Sequence, residues 1–471
     1  MIKFKSGMVK RFLAVLLAAV ALASILFSAS IFSIFAKDPL AGAEQRIQKY
    51  RMADASIRIF DADGNPLKSA QVLVEQQAHD FLFGCAAHSY FEIQDPKEKD
   101  IYFRQWKDVF NLAVVPVYWK PCEPEPGRSR ESEMRPEFQP FLENKVALLG
   151  HPLIDTNEIG NPKWLKITPA LEDQIQTRVQ KVVQDFPEVK GWVVMNEPIV
   201  GWDPFPTDAW VIHRGNVEAT RLALSWAREK NPHATLIVNN YLSSQLLDII
   251  GVISKFGVIE SFRLFRRLPR RPSYFEFLTQ LKDADALPDA IGIQSHMHTI
   301  EWPLWFADRV IDKYRKIGRP VYFTEITILS GPPLLIDWAK QYGRNDWPRN
   351  PEKEKSQAEY AEKFYTLLFS RPEVSAIIWN DFTDRFAHPP APAGLLRNDL
   401  SPKPAYFTLR HLIREKWWTR ARGRTDDQGG FKFSGFYGNY QVTVATADGR
   451  SQIFELSLRK LGPKDFIFQL R

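Results

Sequence analysis

The chain has 471 residues, more than one domain of ordinary size needs, but within reach of a large α/β barrel with a small companion. Hydrophobic residues make up 45% and charged residues 25%, with 14 Trp and 33 Phe, which excludes intrinsic disorder and provides more aromatic side chains than a core alone requires. The two cysteines, Cys85 and Cys122, exclude a disulfide scaffold and a cysteine-built zinc site, and a net charge of +7 is too modest for this length to call for a nucleic-acid partner.

Lys3, Lys5, Lys10 and Arg11 precede an uncharged run over residues 12–36 rich in Leu, Ala, Val and Ile. Residues 1–36 thus read as a signal peptide or an N-terminal membrane anchor. The run is long enough to span a bilayer and has no Ala-x-Ala cleavage box, so an uncleaved anchor is expected, with the positive flank inside and the bulk of the chain outside. The protein is expected to be exported, either anchored facing outward or secreted.

Residues 53–79 alternate apolar and polar side chains around the turn Asp63-Gly64-Asn65-Pro66. Over residues 80–418, eight short apolar runs follow, at 81–85, 112–117, 146–150, 192–195, 235–239, 290–294, 321–324 and 376–379. Amphipathic stretches of helical period separate them, for example 172–186, 217–230, 306–316 and 355–369. Eight βα repeats predict a closed (β/α)8 TIM barrel of the α/β class. Within this span Arg263, Arg266, Arg267, Arg270 and Arg271 read as a solvated face. Within residues 425–471, residues 430–458 alternate again, around Gly438-Asn439 and Asp448-Gly449. Neither end has enough strands to stand alone, so the two are expected to pair as one small antiparallel β-sandwich with the barrel inserted between them.

Two of the eight runs end in an acid: Trp192-Val193-Val194-Met195-Asn196-Glu197-Pro198 and Val321-Tyr322-Phe323-Thr324-Glu325-Ile326. The carboxyl ends of barrel strands converge on one mouth, so Glu197 and Glu325 can face each other across it although they are far apart in sequence. Paired carboxyls of that kind hydrolyse glycosidic bonds, one as acid/base and one as nucleophile. Asn196 can donate to the sugar hydroxyl beside the anomeric carbon, and Gln294 and His296, closing the run before that of Glu325, can orient Glu325 as the nucleophile and keep it ionised. Flat aromatic rings would serve such a cleft as sugar platforms.

These segments resemble glycoside hydrolase family 10, the β-1,4-xylanase family, over almost the whole barrel. The resemblance is carried by Val194-Met195-Asn196-Glu197-Pro198, Asn239-Asn240-Tyr241, Ile291-Gly292-Ile293-Gln294-Ser295-His296, Thr324-Glu325-Ile326, Gln357-Ala358-Glu359-Tyr360, Trp379 and Pro402-Lys403-Pro404-Ala405-Tyr406. Lys120 and Glu123-Pro124-Glu125-Pro126-Gly127-Arg128 resemble the family's Met-Lys-Trp stretch and its sequel. The resemblance implies Glu197 as acid/base and Glu325 as nucleophile of a retaining endo-1,4-β-xylanase-like enzyme. It also implies sugar contacts from Lys120, His151, Asn196, Tyr241, Gln294, His296 and Trp379. The terminal segments, Asp61-Ala62-Asp63-Gly64-Asn65-Pro66-Leu67 and 425–444, resemble the halves of a carboxypeptidase-regulatory-like domain.

The departures from the family fall around the substrate. Pro116-Val117 replaces a Glu-Asn pair that holds the sugar next to the cleaved one, and Gly150-His151-Pro152-Leu153-Ile154-Asp155-Thr156 stands for Gly-His-Thr-Leu-Val-Trp-His. A second His is thereby lost to Thr156, with Asp155 or Asn157 as substitutes. An Asp two residues after the nucleophile becomes Thr327, and a second Trp is missing near Ala387-His388. The expected partner is a β-glycan, xylan among the candidates, acted on by a monomer; hydrolysis of another β-glycan and a glycan-binding barrel with little turnover are the alternatives. No metal-binding spacing or phosphate loop occurs, and Asp61–Asn65 reads as a hairpin turn rather than a calcium loop, so no metal or cofactor is expected.

Overall fold

The computed structural model describes residues 38–199, 205–242, 272–332, 348–387 and 390–471. The N-terminal apolar run, the arginine cluster at 263–271 and His388 lie outside them. Among the described residues no helix is long and apolar enough to cross a membrane.

A helix, Ala43–Arg51, leads into two strands, β1 (Met52–Phe60) and β2 (Gln71–His79). The barrel follows: β3 (Leu82–Ala86), β4 (Leu112–Pro116), β5 (Ala147–His151), the two-residue β6 (Ile154–Asp155), β7 (Gly191–Asn196), β8 (Thr235–Tyr241), β9 (Ala290–Met297), β10 (Val321–Ile328) and β11 (Val374–Trp379). All neighbouring strands run parallel, and β5 and β6 both pair with β7 to close the cylinder. Each of the eight apolar runs read from the sequence is a barrel strand. The observed β8, β9 and β10 run farther than their apolar residues, because polar side chains at their carboxyl ends stay in the ladder while pointing into the mouth.

Alternation along the strands separates two cores. Leu112, Val114, Leu149, Val193, Ile237, Ala290, Ala376 and Ile378 fill the lumen. Their neighbours Ala113, Val115, Leu148, Trp192, Val194, Leu236, Val238 and Ile377 face the surrounding helices. Both faces are apolar, which is why the strands read as continuous hydrophobic runs. The flanking helices include Leu171–Asp185, Asn216–Lys230, Leu304–Tyr314 and Pro351–Ser370.

After the barrel come β12 (Arg420–Arg424), β13 (Gly430–Phe436), β14 (Gly438–Ala445), β15 (Ser451–Leu458) and β16 (Asp465–Gln469). They combine with the N-terminal strands in two sheets, β13-β1-β16 and β12-β2-β14-β15. Ile57, Ile59, Val72, Val74, Phe433, Tyr440, Val442, Val444 and Leu458 are buried between them. Two details differ from the sequence expectation. β1 and β2 are not hairpin partners, nor are β13 and β14: each connection crosses from one sheet to the other, whereas Asp448-Gly449 does turn a true hairpin, β14 to β15. And β1 pairs with β16 in parallel, so the sandwich is not wholly antiparallel. Alternation shows which face of a strand is buried, not which strand lies beside it.

His79, the last residue of β2, joins sandwich to barrel. Its Nε2 lies 3.3 Å from the Ile413 carbonyl, and its ring meets Phe83, Phe369, Trp418 and Phe436 edge-on. Burial, with the nearby Arg414 charge acting the same way, pushes its pKa down to about 3, so the imidazole stays neutral in this apolar junction.

Candidate active site

Glu197 follows the last residue of β7, and Glu325 lies inside β10 where the ladder slips: the register with β9 shifts between Thr324 and Thr327, and that with β11 between Phe323 and Ile326. Both glutamates have left-handed backbones, φ 52° at Glu197 and φ 53° at Glu325. For residues other than Gly such a conformation costs about 1–3 kcal/mol and persists only where the surrounding structure imposes it. Here paired strands impose it on both sides, and the Glu197 N–H still donates to the Asn239 carbonyl at 2.8 Å. The strain turns both carboxyls out of the pleat and over the barrel mouth.

Glu325 sits in an ionic corner. Its Oε2 is 2.9 Å from His296 Nε2, its Oε1 accepts from Asn239 Nδ2 at 2.6 Å, and His296 Nδ1 meets Thr327 Oγ1 at 2.8 Å. Burial by itself would raise the pKa of this carboxyl. The hydrogen bond and charge of His296, the charge of His151 and the Asn239 amide outweigh it and hold Glu325 down at about 2. The effect is reciprocal: burial opposes a charge on His296, but the bond to Glu325 and its negative charge raise the imidazole above its ordinary value. Thr327 can donate or accept and so suits either form of the ring.

Glu197 sits in a corner of amides. Its Oε2 accepts from Asn157 Nδ2 at 3.0 Å and its Oε1 from Gln294 Nε2 at 3.0 Å, while Thr156 Oγ1 donates to its backbone carbonyl at 3.0 Å. The two corners meet on Asn196, whose Oδ1 accepts from Gln294 at 3.3 Å and from Asn239 at 2.8 Å. Thr324 Oγ1 donates to Asn239 Oδ1 at 2.6 Å, which fixes the Asn239 amide. Gly292, opposite Asn239 in the ladder, makes room for it: a Cβ there would fall 2.5 Å from Asn239 Oδ1.

Of the residues read from the sequence, the structure thus brings together Glu197, Glu325, Asn196, Gln294 and His296, with one correction: His296 holds Glu325 as expected, whereas the Gln294 amide reaches Glu197 and Asn196 instead of Glu325. His151 is buried at the end of β5 beside Tyr118 (5.5 Å between centroids) and His88 (6.1 Å). Burial lowers its pKa, with the Glu325 charge pulling the other way. Lys120 forms an ion pair with Glu158 at 2.7 Å, so its ammonium already has a partner. Tyr241 ends β8 with 40% of its surface exposed. Trp379 departs from the expected role: it is 0% exposed, its indole N–H donates to the Ala393 carbonyl at 3.2 Å, and its ring lies beside Tyr365. It therefore belongs to the core at the end of β11, because the following chain folds back over it, and it offers no open face to a sugar. Asn157, read from the sequence only as a substitute for the lost His, bonds Glu197, and Asn239, read only as part of the Asn239-Asn240-Tyr241 segment, bonds Glu325 and Asn196; no local pattern names these partners, because they lie far away along the chain.

A family model described as glycosyl hydrolase family 10 matches residues 73–255 and 258–412. The chain is 24% identical over 431 residues to the anti-sigma-I factor RsgI6 of Acetivibrio thermocellus, an alignment covering 89% of this chain but about half, 48%, of that protein. It is also 24% identical over 348 residues to endo-1,4-beta-xylanase B of Thermotoga neapolitana, covering 70% of this chain and 88% of that one. The solved xylanase 10B of Thermotoga petrophila, in complex with xylobiose, shares the barrel fold with a TM-score of 0.53 at 21% identity, over 72% of this chain and 95% of that one. The chain belongs to glycosyl hydrolase family 10, and its barrel is endo-1,4-β-xylanase-like.

Proposed function

We propose that the protein is a retaining glycoside hydrolase acting on a β-1,4-linked glycan, with Glu325 as nucleophile and Glu197 as acid/base. The observation that carries this reading is the shared anchor: two glutamates from β7 and β10, each in a strained backbone, are tied through Gln294 and Asn239 of the intervening strands to one amide, Asn196. An ionised Glu325 beside His296 attacks the anomeric carbon, and Glu197 gives its proton to the departing oxygen. Water then displaces the glycosyl group from Glu325 with Glu197 as base, so the configuration is retained. Asn196 retains one amide hydrogen for the neighbouring sugar hydroxyl.

Xylan is the first candidate polymer, in keeping with the xylanase relatives. Val117, buried at 1% exposure, cannot make the polar contacts of the family's Glu-Asn pair, so the sugar next to the cleavage point is recognised differently. The test is hydrolysis of a purified glycan panel with NMR of the first-formed product. Release of β-configured xylo-oligosaccharides by the wild type, lost in Glu325→Ala, is expected; an α-configured first product overturns the mechanism.

The remaining assignments are proposals of the same kind. Residues 12–36 hold the exported chain on the outer side of a membrane, the enzyme acts as a monomer, and the barrel spans 80–418 between sandwich segments at 53–79 and 420–471, the second starting before the expected 425 because Arg420–Arg424 pairs with β2. Mass measurement of the native amino terminus decides between anchor and cleaved signal.

A further inference from the structure

We propose that Asp155, standing where the family resemblance leads one to expect Trp, is a positioning residue for the reaction: its carboxyl group fixes the Asn196 amide and, through Asn157, the carboxyl of Glu197. This rests on the reading of Glu197 and Glu325 as the reacting pair.

β6 exists for only two residues, and its ladder with β7 sets Asp155 directly opposite Asn196. Asp155 is 3% exposed. Its Oδ2 accepts from Asn196 Nδ2 at 2.9 Å and its Oδ1 from the Asn157 N–H at 2.7 Å. Counting donors shows what this does. Asn196 Oδ1 takes hydrogens from Asn239 and Gln294 on one side, and Asn196 Nδ2 gives one to Asp155 on the other. Inverting that amide would set NH2 against two donors and oxygen against a carboxyl, so one orientation remains, and the second Nδ2 hydrogen is free for a sugar hydroxyl.

The same carboxyl aims Asn157. With its backbone N–H tied to Asp155, Asn157 reaches Glu197 Oε2 through Nδ2 at 3.0 Å. The segment is itself held from behind: Thr207 Oγ1 donates to the Asp155 carbonyl at 2.8 Å, and the Thr207 N–H donates to Asn161 Oδ1 at 3.0 Å. Gly160 lies so close that a Cβ there would come within 2.3 Å of the Asp155 carbonyl oxygen. A carboxyl so enclosed acts through its two amide partners rather than on substrate.

The test compares Asp155→Ala and the near-isosteric Asp155→Asn in the full chain, with 4-nitrophenyl β-xyloside and its 2-deoxy analogue as probes. Asp155→Ala is expected to lose about tenfold or more in kcat on the 2-hydroxy substrate with KM little changed, and much less on the 2-deoxy one, since only the former uses the Asn196 amide. Asp155→Asn, which keeps one acceptor oxygen, is expected to recover part of the loss. Equal losses on both substrates overturn the Asn196 part of the proposal, and no loss on either overturns it whole. A crystal structure of either variant gives an answer independent of turnover: Asn157 withdrawn from Glu197 supports the proposal, and unmoved Asn196 and Asn157 side chains overturn it. If wild type and Glu325→Ala are equally inactive on glycosides, the catalytic reading fails, and the variant structure still decides the positioning role.

Discussion

The Glu325 corner and the Glu197 corner hold the same functional group by opposite means. Around Glu325 the bonded partner His296 carries charge, and it keeps the carboxylate ionised although burial opposes it. Around Glu197 the partners are neutral amides, Asn157 and Gln294, with a buried third carboxyl, Asp155, behind them. A cationic partner stabilises only the ionised form, whereas amide donors can serve a carboxyl that must carry a proton at one step and lose it at the next. The departures from the family pattern that carry side chains at the site divide in the same way: Thr327 bonds His296 in the ionic corner, while Asp155 and Thr156, with Asn157 next to them, line the amide corner.

The largest effect that could break this comparison is loss of the nucleophile. Glu325→Ala should lower kcat by about 10⁴-fold or more on every glycoside tested, because in the proposed mechanism Glu325 forms the glycosyl intermediate. Glu197→Ala should cost about 10²–10⁴-fold on a polysaccharide, measured by reducing-sugar release, but little in the first step with an activated aryl leaving group that needs no proton. If both variants respond alike to leaving-group quality, the division of roles fails.

Next in size is the ionic corner on its own. His296→Gln should let the Glu325 pKa rise from about 2 toward its ordinary value of 4.5, so the acid limb of the kcat/KM profile should move to higher pH. An unchanged acid limb would mean that His296 does not set it.

Smallest, and most direct, is the opposite linkage of Glu325 and Asp155 to pH. Glu325 is depressed from 4.5 to about 2, so it contributes stability above pH 4.5 that is lost as the pH falls through 2. Asp155 is raised from 3.8 to about 7, by burial first and then by the Glu197 charge, so its contribution is complete below pH 3.8 and lost as the pH rises through 7. At about 1.4 kcal/mol per pKa unit, the limits are about 3 kcal/mol for Glu325 and about 4 kcal/mol for Asp155. In urea melts across pH, the stability deficit of Glu325→Gln relative to wild type should shrink on acidification, and Asp155→Asn should gain on wild type between pH 4 and 7. Parallel slopes would erase the distinction between the corners.

How much of this was legible in the chain depended on range. The eight barrel strands stood out because a parallel strand buried on both faces writes itself as a short apolar run, and Glu197 and Glu325 because an acid ending such a run is conspicuous. Trp379, implied as a sugar contact only by the family resemblance, is covered by the chain folding back to Ala393, a burial that no local pattern shows. In the sandwich, alternation marked the buried faces of β1, β2, β13 and β14 but not that successive strands belong to different sheets.

The sequence by itself determined the periodicities, the strand ends and therefore the presence of two acids at one barrel mouth, since these follow from hydrophobicity and spacing along a single segment. Only the tertiary structure decided who holds those acids. Asn196 joins the corners from β7 with Asn239 from β8 and Gln294 from β9, and Asp155 reaches it from β6. Hydrogen-bond partners separated by 41 to 98 residues leave no periodic trace in a chain, because closure of the barrel, not local propensity, brings them within 3.3 Å.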